Sequence, residues 1–188
     1  MMSSQIRFVA AAALVLGSGT VFAQSGNGSD VSGPSQVTVT FAPLGIPNAT
    51  GGSNIGPSPS TFGAVGNVRS NFNSGSPVIS PATGQPITPA AVHSVGDLIS
   101  NGAPASLANV SAALNAAGAP SGAVATLTQA LAALATADHD DMPRSVLAAV
   151  RAFNALVASS PAAFLRNPPA AFLAIHAALV PMAASVGH

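Results

Sequence analysis

Asp138-His139-Asp140-Asp141 places three carboxylates and an imidazole in four consecutive residues, the densest group of ionisable side chains in the chain. Oxygen-rich donors of this kind suit calcium or magnesium, which makes Asp138, His139, Asp140 and Asp141 the metal candidates. An EF-hand would need alternating ligands, a central glycine and a closing glutamate, and none follows Asp141. Acidic residues just ahead of a helix also accept from its free N–H groups and complement the positive end of its dipole. Capping is the role expected here, and neither a metal nor a cofactor is expected.

His93 and Asp97 stand four residues apart in a helical pattern, a spacing compatible with metal ligation or with a carboxylate orienting an imidazole. They share a face with Ser100. That face lies opposite Val95 and Leu98, which predicts a solvated surface. A serine hydrolase would hold its nucleophile on a strained turn, and the chain has no G-x-S-x-G. His176 falls inside an apolar arc between Phe172 and Leu179, the setting of a neutral, buried histidine hydrogen-bonded to backbone. No catalytic residue is assigned, and the chain is not expected to be an enzyme.

Five residue types are missing from all 188 positions: Lys, Glu, Cys, Trp and Tyr. Without cysteine there is no disulfide, thiolate nucleophile or sulfur-ligated metal. Phe alone remains for stacking, which argues against sugar- and base-binding grooves. Beyond residue 23, Arg69, Arg144, Arg151 and Arg166 oppose Asp30, Asp97, Asp138, Asp140 and Asp141, leaving one net negative charge with histidines neutral. A nucleic-acid partner is therefore not expected, because phosphate neutralisation needs a basic face.

The elements that must position these groups begin to show at Pro89, where apolar residues adopt a helical period and each segment opens near a proline or a polar cap. Val92, Val95, Leu98 and Ile99 form one stripe, ended by Asn101-Gly102. Leu107, Val110 and Leu114 form a second; Val124, Leu127, Leu131 and Leu134 form a third, with Ser121 as its cap. Val146, Val150, Phe153 and Val157 fall within a narrow arc of a fourth helix, with Arg144 and Arg151 on its far side. A short turn through Phe164 and Leu165 leads to the last helix.

That last helix has no polar face: Phe172, Leu173, Ile175, Leu179, Val180 and Met182 cover about half of its circumference and alanine fills the rest. Its first expected place is the centre of the bundle. The alternative is docking of Phe172, Ile175 and Leu179 against another protein or a second copy of the chain. Pro181 is expected to stop or kink it, leaving a run too short for the roughly 20 residues that span a bilayer.

Residues 24–88 have a different character, since Gly, Ser, Pro, Asn and Thr fill 42 of the 65 positions and such a segment struggles to offset its ordering entropy. Val37, Val39 and Phe41 alternate with Thr38 and Thr40 as a short strand would, and Phe62, Val65, Val68 and Phe72 are spaced to dock. At the N-terminus, Arg7, the apolar run Phe8 to Gly17 and Val21-Phe22-Ala23 read as a secretory signal peptide cleaved after Ala23. No membrane span is expected after its removal.

The expected fold class is mainly α: an alanine-rich bundle of about five helices over residues 89–188, preceded by an irregular segment over 24–88 with at most one or two short strands. The expected function is that of an exported, non-enzymatic structural or interaction protein of the cell envelope or secretome, with a surface-active or lipid-binding helical protein as the alternative. Its expected location is the periplasm, the cell envelope or the medium.

Overall fold

The computed structural model describes residues 60–186, all within one compact unit of the chain. The expectations for Met1–Gln24 and for the Val37–Phe41 strand fall outside the described residues. Among the described residues seven helices follow in order: α1 (Thr61–Asn73), α2 (Pro89–Asn101), α3 (Pro104–Ala116), α4 (Ser121–Thr136), α5 (Met142–Ser159), α6 (Ala162–Arg166) and α7 (Ala170–Ala184). Among the described residues there is no sheet, only an isolated antiparallel bridge between Ile79 and Pro86 in the α1–α2 connection. The helical bundle expected from the pattern is the fold observed.

Helical packing starts earlier than the composition suggests, because α1 lies wholly inside the stretch read as irregular. Val65, Val68 and Phe72 recur on one side of α1 and are buried, while Phe62 remains 47% exposed and does not join them. One local and one remote contact compensate for its glycines and asparagines. The Ser60 hydroxyl oxygen accepts from the Gly63 N–H at 3.3 Å, an N-cap contact of the usual kind. The buried Thr61 hydroxyl donates to the Ser185 carbonyl at 3.0 Å, tying the start of α1 to the end of α7.

The stripes read for α2 to α5 are buried as expected, apart from Leu107, which is half-buried. Gly102 ends α2 in the left-handed conformation, φ +61°, a backbone state that costs glycine no steric penalty. Side-chain capping is rarer than the sequence implies. Thr88, Pro120 and Asp141 precede their helices without a side-chain cap bond, and Ser121 is the first residue of α4 rather than its cap.

α7 packs against α1, α2, α3 and α5, so the helix without a polar face occupies the interior. Phe172, Ile175 and Leu179 are at most 1% exposed. The central placement is the one realised, and docking of a partner on these three side chains would require α7 to leave the core. Pro181 does not stop the helix, which runs on to Ala184. Its ring removes the N–H that would have bonded to the Ala177 carbonyl, and the packing around α7 holds the last turn in place despite that loss.

α1 crosses α2 closely at Gly96. A Cβ there would lie 2.9 Å from the Phe72 Cβ and 3.0 Å from the Asn73 Oδ1, inside normal contact distance. The absence of a side chain at this one position lets the two helices approach.

Candidate functional site

The acidic turn sits between α4 and α5. Asp138 contributes its carbonyl oxygen, which accepts from the Asp141 N–H at 3.2 Å and the Met142 N–H at 2.9 Å. Asp141 itself has helical backbone angles, φ −90° and ψ −11°, whereas a side-chain cap requires extended backbone at that position. Pro143 removes another first-turn donor. The expected carboxylate cap is therefore not formed, and Asp141 instead lies 3.7 Å from Arg144 Nη1 in an exposed pair one turn apart.

His139 and Asp140 project outward, with Nδ1 and Oδ1 3.4 Å apart and the Asp140 side chain fully exposed. The His139 ring meets the exposed Phe62 ring of α1, centroids 5.3 Å apart and planes tilted by 39°. Among the described residues no three metal-ligating side chains converge, so Asp138, His139, Asp140 and Asp141 share a turn without forming a coordination sphere. Asp138, Asp141 and Arg144 rim a groove of about 430 Å³ floored by Ala130, Ala133 and Ala148.

On α2, His93 is exposed while Asp97 and Ser100 are half-buried. The Ser100 hydroxyl accepts from Asn73 Nδ2 at 3.3 Å, so it serves the α1–α2 contact. No ion pair joins His93 to Asp97 among the described residues. His93 borders a groove of about 240 Å³ with Phe72, Pro77, Val78, Ile87 and Val92, in which it is the one ionisable side chain. Neither a triad nor a metal site is assembled there.

His176 occupies a different environment. It is 8% exposed and stacks on Phe153 of α5, centroids 5.6 Å apart and planes 21° apart. Phe153 stacks in turn on Phe172 at 4.8 Å, and Phe172 meets Phe164 edge-on at 5.2 Å and 85°. Four rings from α5, α6 and α7 thus form a continuous row, in the offset and T-shaped arrangements that aromatic quadrupoles favour. Burial lowers the His176 pKa from its ordinary value, holding the imidazole neutral. This row was not legible as a unit, because Phe153, Phe164 and Phe172 come from three separate segments.

Arg69, which enters the sequence only as one of four scattered arginines beyond residue 23, has a defined place in the fold. It reaches from α1 to the end of α4, where Nη2 donates to the Leu134 carbonyl, and partial burial lowers its pKa. A cation at a helix C-terminus satisfies a carbonyl left without an intrahelical donor and complements the dipole. A lone arginine amid glycine and asparagine carries no pattern that would reveal this.

Among the described residues, the class these observations define is a helical bundle with an aromatic interior row that includes the buried His176, its other ionisable groups spread over separate positions nearer the surface. Compared with family models, curated proteins and solved structures, the chain finds no match.

Proposed function

We propose that the chain is an exported, non-enzymatic structural or interaction protein of the cell envelope or secretome. The observation that carries the interaction part is the outer face of α3, where Ala105, Ala108, Ala112, Ala113 and Ala116 are exposed beside Asn109 and Asn115 and no charged residue interrupts them. Such a face offers small apolar side chains whose burial is favourable, and alanine allows close approach of a neighbouring backbone or side chain. Export rests on Arg7, the Phe8 to Gly17 run and Val21-Phe22-Ala23.

The partner in this reading is another protein or a second copy of the chain. Phe172, Ile175 and Leu179 are buried within the chain, which supports the outer helical faces as the contacting surface in this reading. Intact-mass measurement on fractionated cells tests export: the expected product begins at Gln24 or within a few residues of it, and a cytosolic product that retains Met1 overturns the location. Size-exclusion chromatography with light scattering on native extract and on the purified mature chain tests association. A mass above that of one chain is expected, and a strictly monomeric species in both preparations overturns the interaction role.

A further inference from the structure

We draw no further inference here: the strongest candidate, the alanine-floored groove between α4 and α5 rimmed by Asp138, Asp141 and Arg144, is a stripe of small residues beside an acidic cluster, and nothing in the structure shows what covers it.

Discussion

Arg69 Nη2 donates to the main-chain oxygen of Leu134 at 2.5 Å, joining α1 to the last turn of α4. A charge-assisted bond to a helix C-terminus combines a satisfied carbonyl with a favourable dipole contact. Replacing Arg69 by Met keeps much of the aliphatic stem and removes both, so a loss of about 1 to 2 kcal/mol is expected in chemical denaturation. Arg69→Lys should recover only part of it, since a single ammonium cannot reproduce the guanidinium geometry. Equal midpoints for the parent and Arg69→Met would show that the bond contributes nothing net.

Two glycines in helices should respond in opposite directions to the same substitution. Gly96→Ala drives a Cβ against Phe72 and Asn73 and is expected to destabilise by about 1 to 3 kcal/mol, outweighing the gain in helix propensity. Gly66→Ala in α1 meets nothing within 4 Å, so it should stabilise by about 0.5 to 1 kcal/mol. Thermal melts of the two variants beside the parent decide the matter. A Gly96→Ala variant as stable as the parent or more so would mean that the α1–α2 crossing is not as close as the geometry gives.

The aromatic row predicts a steep contrast between interior and surface phenylalanines. Phe172 is 1% exposed and touches both Phe153 and Phe164, so Phe172→Ala should cost about 3 to 5 kcal/mol, a large share of a typical domain's stability. Phe62 is 47% exposed and meets only the exposed His139 ring among the aromatic contacts described, so Phe62→Ala should change stability by less than about 0.5 kcal/mol. Urea titration followed by far-UV circular dichroism separates the two. A Phe172→Ala variant that melts like the parent would remove the row from the account of stability.

His176 gives the fold an acid sensitivity of defined sign. Its folded pKa lies below the unfolded value, so the native state favours the neutral imidazole. This contribution is fully present above about pH 6.5 and is lost as the pH falls below that value toward the depressed folded pKa. Unfolding free energy measured from about pH 7.5 down to about pH 5 should therefore fall in the parent and fall less steeply in His176→Leu. Identical slopes would assign the acid loss to other groups.

The same residues show why some elements were legible and others were not. In α5, Val146, Val150, Phe153 and Val157 repeat at the helical period with arginines opposite, so local pattern alone identifies the helix and its buried face. In α1, Gly63, Gly66, Asn67 and Ser70 dilute the stripe of Val65, Val68 and Phe72, and composition argues for coil. Beyond the Ser60 cap, what stabilises α1 is remote: Ser185 accepts from Thr61, Leu134 accepts from Arg69, and Gly96 makes room for Phe72. None of these contacts has a local trace.

The acidic turn shows the same division for chemistry. Four adjacent residues suggest a shared task, yet side chains that are neighbours in sequence leave a turn in different directions. Asp138 acts through its carbonyl, Asp140 faces solvent, and Asp141 lies near Arg144.

Sequence by itself determined the helical class, the apolar stripes of α2 to α5 and the need of α7 to be largely covered, because each follows from the spacing of residues within one helix. Only the tertiary structure decided what covers α7, that helical packing extends back to Thr61, and that Phe164, Phe172, Phe153 and His176 stand in one row. Those outcomes depend on contacts between residues far apart in the chain, and the free energy that settles them belongs to the assembled core rather than to any single segment.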